Sequence, residues 1–492
     1  MLFNSPDFFV FFAVVTALYF LLPHRARWLM LLLSSCYFYM AFIPAYILIL
    51  LVTIVVDYYA GILIEQNPTR KRMWLVLSII ANVGFLAFFK YYNFAAENIA
   101  ALAQLLHWNY SLPLLAIILP IGLSFHTFQA MSYTIEVYRG RQKAERHFGI
   151  YALYVLFFPQ LVAGPIERPQ NLIHQFYEKH YFEYDRVVSG LKLILWGLFK
   201  KMVIADRAAV VVDAIYGNSG DFSGLPLILA AVLFTFQIYY DFSGYTDIAR
   251  GAARVLGFTL RENFNLPFIS TSMAEMWQRW HISLSTWLRD YLYYPLALTW
   301  GKKSKFRLHL CLIFTFVLIG VWHGANWTFA IFGLIHGLYL VIGSATYRKR
   351  QKIAELIGLT KVPKFRKLVQ RFGVFVLMSL SLVFFRAPSL ADAVTILQNM
   401  PKDIGAQLSN LEFLRYQFFI TSVVGLDKVE FVGLGLSLIL MYACYRSNKE
   451  GSILFTLKEK HIWTRRAFYY FLFGSVLLFG VFASNNFIYF QF

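Results

Sequence analysis

The hydrophobic and polar positions of this chain form a series of long apolar runs separated by short polar segments. A bilayer core of about 30 Å is crossed by on the order of 20 apolar residues in a helix, so each run predicts a helix that spans or dips into a membrane. The runs predict helices at residues 8–23, 28–43, 45–64, 73–89, 112–135, 148–163, 187–204, 225–240, 308–322, 327–345, 372–387, 431–446 and 467–483. The pattern therefore predicts an all-α fold, a polytopic integral membrane helical bundle of about 11–13 spans.

Basic residues are concentrated in several of the polar segments, most strongly at 346–371. Loops rich in lysine and arginine remain on the cytoplasmic side of a membrane. Segment 388–430 holds more acidic than basic residues and is predicted on the other side. This distribution predicts that both termini are extracytoplasmic. Residues 8–22 lack the flanks of a removable signal peptide, so we expect them to form a retained first span.

The predicted chain divides into three segments. These are N-terminal transmembrane helices at 1–147, a core at 148–345, and a basic cytoplasmic loop with C-terminal transmembrane helices at 346–492. Between residues 164 and 307, charges of both signs alternate with short apolar runs. We expect re-entrant or interfacial helices there, because irregular backbone at membrane depth is tolerated only where protein covers it or where it lines a water-filled cavity.

The composition excludes a soluble enzyme. Hydrophobic residues make up 59% of the 492 residues and charged residues 14%, whereas soluble domains hold about 45–50% and about 25%. The net charge of +19 is spread over loops and not gathered in one basic domain, so no nucleic-acid partner is predicted. Cys36, Cys311 and Cys444 lie far apart in apolar stretches, and no metal site or disulfide framework is predicted.

The sequence predicts the N-terminus of one helix in the middle region. Ser272 and Glu275 form a capping box, and the run from Met273 to Tyr294 contains neither proline nor glycine. The spacing predicts one continuous interfacial helix in which His281 shares an aromatic stripe with Trp277. Two interpretations of His281 stay open at this point, an interfacial anchor and a group with a chemical role.

A second segment, Gly320 to Trp327, lies between two apolar spans and contains His323. An ionisable side chain at membrane depth is a functional hypothesis by default, although histidine is cheaper to bury because it can stay neutral. The glycines beside it can open the helix, and Trp322 and Asn326 can donate hydrogen bonds. This combination suits a base beside a polarised carbonyl. His336, further along, is predicted to be a packing residue in preference to a chemical one.

A third polar segment ends an apolar run at residues 239–247. Asp241, Ser243 and Tyr245 are expected there to line a polar cavity. Asn263 lies in the following turn, for which loop formation is a sufficient explanation. The sequence contains no Walker-type glycine loop, no nucleophile elbow and no His-Glu-x-x-His motif, so nucleotide hydrolysis and these hydrolase mechanisms are unsupported.

Seven stretches of the chain resemble the membrane-bound O-acyltransferase family, and within it the branch of alginate O-acetylation membrane proteins. The stretches are residues 119–125, 158–165, 240–247, 262–265, 279–291, 322–326 and 487–492. They recur in the order of the family, and the resemblance extends over almost the whole chain. One departure follows Tyr291, where residues 296–301 replace the Gly-Asn-Arg-Gly-type turn usual in the branch.

The resemblance implies an O-acyltransferase whose catalytic histidine is His323 and whose second, supporting polar residue is His281. The supporting or tunnel-lining residues would be Trp322, Asn326, Asp241, Ser243, Tyr245, Arg279 and Asn263. His323 would accept the proton of an attacking hydroxyl, and Trp322, Asn326 or the amide near Gly324 would stabilise the thioester oxygen.

The resemblance also implies the substrates and the location. An acyl group, most often acetyl, would pass from a cytoplasmic thioester donor, acetyl-CoA or an acylated phosphopantetheine carrier, to a hydroxyl reached from the far side through a central tunnel. No tightly bound cofactor is expected. The expected partners are an SGNH-type extracytoplasmic acetyltransferase, a polysaccharide acceptor and the bilayer of the bacterial inner membrane.

A transporter or flippase of a lipid-linked or acyl-carrying intermediate is the rival class. Polar groups inside a helical bundle serve such a protein equally well. Transporters often show inverted sequence repeats, and none is visible here. A third interpretation, a structural subunit of an export complex, leaves the histidine at membrane depth unexplained.

Overall fold

The computed structural model describes residues 1–108, 110, 112–116, 119–410, 426–447, 460–482 and 487–488. Among these residues the regular structure is helical and no strand occurs, which confirms the all-α prediction. Of the predicted C-terminal motif at 487–492, residues 489–492 lie outside the described part of the chain. So does part of the acidic segment 388–430.

Twenty-two α-helices are described and are numbered here in chain order. They are α1 Pro6–Leu21, α2 His24–Met40, α3 Ile47–Gln66, α4 Lys71–Leu105, α5 Leu123–Tyr138, α6 Phe148–Leu156, α7 Phe158–Leu161, α8 Pro169–Leu172, α9 Tyr184–Leu198, α10 Asp206–Gly217, α11 Leu225–Leu256, α12 Met273–Arg279, α13 Ile282–Leu288, α14 Tyr294–Thr299, α15 Lys305–His323, α16 Trp327–Ala345, α17 Tyr347–Leu356, α18 Pro363–Arg386, α19 Leu390–Asn399, α20 Ile404–Ser409, α21 Lys428–Ser447 and α22 Ile462–Phe479. Two π-helical segments, Phe199–Ala205 and Arg289–Tyr293, continue α9 and α13.

Six helical segments in the described part of the chain are long and apolar enough to cross a membrane. They are Pro44–Gln66, Lys71–Leu105, Leu225–Leu256, Lys305–His323, Trp327–Ala345 and Pro363–Arg386. Pro6–Leu21 is a shorter apolar helix. A multi-pass membrane protein is therefore confirmed, while the larger number of spans stays a prediction.

Several predicted helices have different bounds in the structure. Helices α4 and α11 extend well past the predicted runs 73–89 and 225–240, and two other runs are shortened or divided. Among the described residues of the run 112–135, the helix begins at Leu123, directly after Gly122, which adopts a left-handed conformation with φ of 78°. The run 148–163 is divided at Phe157. Pro159 lies in the first turn of α7, where its missing N–H costs no hydrogen bond, whereas within a continuous helix it would break one.

The predicted continuous helix from Met273 to Tyr294 is wrong. Trp280 is extended and His281 is left-handed, so α12 ends at Arg279 and α13 begins at Ile282. The N-terminal half of the prediction is confirmed, since the side chain of Ser272 accepts the amide hydrogen of Glu275.

The chain forms two compact units. The first contains Met1–Ile194 and Tyr245–Arg261, and the second contains Leu195–Gly244 and Glu262–Phe492. Helix α11 contributes residues to both. The three segments expected from the sequence follow predicted function and topology, and they stay a prediction.

In the first unit, α3, α4 and α5 pack around a buried carboxylate. Asp57 Oδ1 accepts hydrogen bonds from Ser78 Oγ at 2.6 Å and from Asn82 Nδ2 at 3.0 Å, and Asp57 Oδ2 accepts from Asn82 Nδ2 at 2.8 Å. Ser78 also lies 3.0 Å from Thr134 Oγ1. A buried carboxylate requires such donors, because an unsatisfied polar group in an apolar interior is costly.

Removal of the Asn82 amide is expected to destabilise this unit. In Asn82→Ala the carboxylate loses its amide donor, which costs about 1–3 kcal/mol for a buried group. Thermal unfolding in detergent should show a lower midpoint than the wild type. Ile80→Ala, at an exposed position of the same helix, is the matched control. An unchanged midpoint in Asn82→Ala would contradict the role given to the amide.

A second buried carboxylate joins two loops of the first unit. Glu167 is fully buried and accepts hydrogen bonds from the backbone amide of Arg261 and from Asn171 Nδ2, both at 2.6 Å. Burial raises the pKa of Glu167 to about 7, against the lowering effect of these hydrogen bonds and of nearby arginines. The folded protein therefore holds a proton that the unfolded chain releases near its ordinary pKa of 4.5.

The sign of the resulting pH dependence follows from proton linkage. Because the folded state binds more protons between about pH 4.5 and about pH 7, stability is highest below this window and falls as the pH rises through it, by up to about 3 kcal/mol. Glu167→Gln should flatten this part of the profile in thermal unfolding measured at a series of pH values. Glu183→Gln, at an exposed glutamate, should keep the wild-type slope. An equal slope in Glu167→Gln and the wild type would contradict the assignment.

In the second unit, α15 and α16 form a closely packed hairpin. A Cβ atom at Gly320 would lie 2.0 Å from the carbonyl oxygen of Phe329, and one at Gly333 would lie 2.2 Å from the carbonyl oxygen of Phe316. Gly320 therefore allows the two backbones to approach and does not open the helix as expected. Helix α15 continues through nineteen residues to His323, a length of about 28 Å.

Candidate functional site

The backbone at His281 has an uncommon conformation. Its φ of 45° and ψ of 53° place it in the left-handed region, and its side chain is buried. This conformation costs free energy for a residue other than glycine. It persists where the surrounding contacts enforce it, often at functional sites. The backbone conformation alone therefore makes His281 a candidate functional residue.

Asn263 explains why the helix breaks at His281. Its carbonyl oxygen accepts the amide hydrogen of Ile282 at 2.9 Å, and its Oδ1 accepts the amide of Ser283 at 3.1 Å and the hydroxyl of Ser283 at 2.9 Å. Asn263 thus satisfies the first amides of α13, which a continuous helix would have used internally. Its role exceeds the loop formation expected from the sequence.

Arg279 stabilises the same junction from the other side. Its Nη1 donates to the carbonyl of Asn265 at 3.2 Å, its Nε binds Glu275 at 3.0 Å, and its own carbonyl accepts the amide of Asn265 at 2.9 Å. Arg279 is therefore a positioning residue that joins α12 to the preceding turn.

The imidazole of His281 is enclosed by aromatic rings. Its centroid lies 4.7 Å from that of Phe242, in an edge-on arrangement, and 6.1 Å from that of Trp322. Burial lowers the pKa of His281 to about 3, so the imidazole is neutral at physiological pH.

His323 is the last residue of α15 and is also buried. Its ring centroid lies 4.9 Å from Trp322, 5.1 Å from Phe385 and 6.3 Å from Phe332. Trp322 therefore contacts both His281 and His323. The structure brings together the two histidines that the sequence selected, since both contact the same indole.

Asn326 is the N-cap of α16. Its Oδ1 accepts the amide hydrogen of Thr328 at 3.0 Å, and its Nδ2 donates to the carbonyl of Pro388 at 3.0 Å. The expected role of Asn326 as a donor to a reacting oxygen stays a prediction, since the structure shows it in a capping role.

His336 belongs to a complete hydrogen-bonded chain between helices α12, α16 and α18. Trp277 Nε1 donates to His336 Nδ1 at 3.2 Å, which places the imidazole proton on Nε2. That nitrogen donates to Ser381 Oγ at 2.9 Å, and the Ser381 hydroxyl donates to the carbonyl of Met378 at 2.8 Å. Both ring nitrogens of His336 form hydrogen bonds between helices. This agrees with the packing role preferred from the sequence.

The three residues predicted at 239–247 have different surroundings. Asp241 is buried and lies 2.7 Å from Lys201 Nζ. Ser243 is also buried, and its hydroxyl has no hydrogen-bond partner among the described residues. Tyr245 belongs to the first compact unit, where it stacks on Phe3 with ring centroids 4.5 Å apart.

Sequence reasoning missed Lys201 and Asp206. Lys201 lies in the π-helical segment and contacts Asp206 at 2.8 Å as well as Asp241. The available signal was the pair of lysines at 200 and 201 inside an apolar run, since buried charges require partners. Among the described residues, no group of His, Cys, Asp and Glu side chains is arranged to hold a metal ion.

The fold and the site define a multi-pass helical membrane protein with two buried imidazoles beside one tryptophan. Residues 16–385 match the model of the membrane-bound O-acyltransferase family. Because this match covers more than half of the chain, the protein belongs to that family, and it is an O-acyltransferase. Family membership decides between this class and the transporter considered above.

Three relatives illustrate the similarity. The probable alginate O-acetylase AlgI of Pseudomonas aeruginosa is 36% identical over 415 residues, which cover 84% of this chain and 77% of the relative. The protein of the same name from Pseudomonas putida is 33% identical over the whole length of both chains. The peptidoglycan O-acetyltransferase of Helicobacter pylori is 34% identical over 84% of this chain and 82% of the relative.

Proposed function

We propose that this O-acyltransferase moves an acetyl group from a cytoplasmic thioester donor to a hydroxyl group of an extracytoplasmic polysaccharide, directly or through a partner transferase. The observation that carries the proposal is the placement of two buried histidines, His281 and His323, beside the same indole of Trp322 in a member of this family. The names of the relatives support acetyl as the group transferred and a glycan as the acceptor.

His323 is the proposed general base. The attacking hydroxyl loses its proton to an imidazole nitrogen as its oxygen bonds to the thioester carbon, and the C–S bond then breaks. The departing thiolate recovers the proton from the imidazolium, so the histidine returns to its neutral form. An imidazole suits both transfers because its unperturbed pKa of about 6.5 lies close to physiological pH.

His281 is the proposed supporting residue. Its neutral ring lies beside Trp322, which also contacts His323, and Asn263 fixes the left-handed backbone that carries it. Developing charge on the thioester oxygen requires hydrogen-bond donors. Trp322 and Asn326 are the proposed donors, and the hydrogen bond from Asn326 Nδ2 to the carbonyl of Pro388 would orient the amide group.

The charge of the cytoplasmic segments supports a phosphate-bearing donor, acetyl-CoA or an acylated phosphopantetheine carrier. Helix α17 carries four exposed basic side chains. They are Arg348, Lys349, Arg350 and Lys352. Clustered positive charge raises the local concentration of an anionic substrate.

The proposed location is the bacterial inner membrane, with both termini on the extracytoplasmic side. Basic segments on the cytoplasmic side follow the positive-inside rule. An SGNH-type transferase on the outer face is the proposed partner, which would complete the transfer when the acceptor does not enter the membrane.

A vesicle assay tests the proposal. Purified protein in lipid vesicles is supplied with isotope-labelled acetyl-CoA or, in a parallel arm, a labelled acyl carrier, together with polysaccharide and with or without an SGNH-type partner. Mass spectrometry should detect base-labile labelled ester that depends on the donor and on this protein. Absence of ester in all arms, with an active partner present, would contradict the proposal.

A further inference from the structure

A buried cluster of three charged side chains lies in the second unit. Lys201 Nζ is 2.8 Å from Asp206 and 2.7 Å from Asp241, and all three side chains are at most 5% exposed. Charges so far from water persist only when they are paired and hydrogen-bonded. The cluster therefore fixes the orientation of the Asp241 carboxylate.

The second carboxylate oxygen of Asp241 is directed at the C-terminal part of the chain. Asp241 Oδ2 accepts the backbone amide hydrogen of Ile488 at 2.7 Å. A hydrogen bond to an ionised acceptor is shorter and stronger than one between neutral groups. Ile488 is held by its backbone and not by a polar side chain.

Two further hydrogen bonds attach the chain after α22 to the same region. Arg207 Nε donates to the carbonyl of Phe479 at 2.8 Å, and the amide of Val481 donates to the carbonyl of Met202 at 3.1 Å. The attachment therefore involves several points, of which the bond to Asp241 is nearest to the site.

Phe487 precedes Ile488 and is linked to His281 through the ring of Phe242. Phe487 is buried, and its ring centroid lies 5.6 Å from that of Phe242. Phe242 in turn lies 4.7 Å from His281. Loss of Phe487 from this position would remove the support behind Phe242 and open one side of the His281 enclosure.

We propose that the Lys201–Asp241 ion pair, by binding the Ile488 amide, holds Phe487 against Phe242 and so fixes the imidazole of His281. Lys201, Asp241 and Phe487 are then positioning residues for the acyltransferase site. The significance of this support for catalysis rests on the proposed function, whereas the support itself is a property of the fold and is tested separately.

The test measures the access of reagent to His281 in the full-length protein. Diethyl pyrocarbonate modifies neutral imidazoles, and the labelled peptides are quantified by mass spectrometry. Ile488→Pro removes the amide hydrogen and leaves the charged cluster intact, and Phe487→Leu removes the ring. Each should increase labelling of His281, about tenfold for the lost hydrogen bond to a charged acceptor. Ile488→Val keeps the amide and should label as the wild type does.

The other histidines provide internal references. His174, with a side chain 56% exposed, reports the reagent dose, and the buried His126 and His336 report general loosening. Wild-type labelling of His281 in both Ile488→Pro and Phe487→Leu would overturn the proposal, as would an equal rise at His126 and His336. Increased labelling of His281 alone, with ester formation unchanged, would uphold this support while rejecting its importance for catalysis.

Discussion

His323→Ala is expected to abolish ester formation while the protein still inserts in the membrane. Removal of a general base costs typically about 10²–10⁴ in rate, which would bring polymer acetylation to the background of a deletion strain. The side chain lies at the end of α15 among three aromatic rings, and the helix itself is formed by backbone hydrogen bonds. The measurement is the O-acetyl content of the surface polymer, normalised to the amount of protein in the membrane.

His309→Ala is the matched control, because His309 lies on the same helix and is only partly buried. Its product should equal that of the wild type. Near-normal acetylation by His323→Ala would remove this histidine from the mechanism. Loss of acetylation in proportion to lost protein would instead indicate a structural role.

Replacement of His281 is expected to reduce acetylation severely, and the choice of substitution separates the two interpretations of this residue. Alanine removes the imidazole and, like histidine, costs about 1–2 kcal/mol in the left-handed region because of its Cβ. Glycine and asparagine adopt this conformation readily. His281→Gly and His281→Asn should therefore preserve the fold better than His281→Ala and yet lose about 10²-fold or more of the activity.

Thermal unfolding in detergent accompanies the activity measurement for these three variants. Full activity in His281→Asn, combined with lower stability in His281→Ala alone, would identify His281 as an anchor. Activity lost in all three, irrespective of stability, would support a chemical role for the imidazole.

The parts of the site that could be predicted are those encoded locally. His323 lies between two apolar runs with a glycine after it, and the end of α15 falls where that pattern indicates. The N-cap at Ser272 also formed as expected, because Ser272 and Glu275 lie within one turn. The reciprocal bond differs from a capping box, since the Glu275 carboxylate accepts the amide hydrogen of Thr271. The all-α class follows from run length and composition alone.

The break at His281 could not be read from its own segment. No glycine or proline marks it, and the groups that replace the missing helical hydrogen bonds belong to Asn263, eighteen residues earlier. Local propensity favours a continuous helix there, and a tertiary contact overrides it. The same reason applies to the partnership of Asp241 with Lys201 and Ile488, which joins three distant parts of the chain.

The position of Asn326 in the sequence indicates a helix N-cap as well as a hydrogen-bond donor. An asparagine directly before an apolar helical run is a typical N-cap, and the structure uses it in this way. Gly320 is a similar case. A glycine in an apolar run can open a helix, but at a helix–helix interface it also permits close packing, and the structure shows the second role.

The interruption between α12 and α13 has a consequence for engineering. Sequence design aimed at thermostability favours straight helices with strong helix-forming residues at each position. Such a design would convert the segment from Met273 to Leu288 into one continuous helix. A regular helix advances about 100° per residue, so restoring it would swing the ring at 281 away from Trp322 and discard the contacts of Asn263. A more rigid but inactive transferase is the expected product of that design, since stability and activity compete where function requires strain.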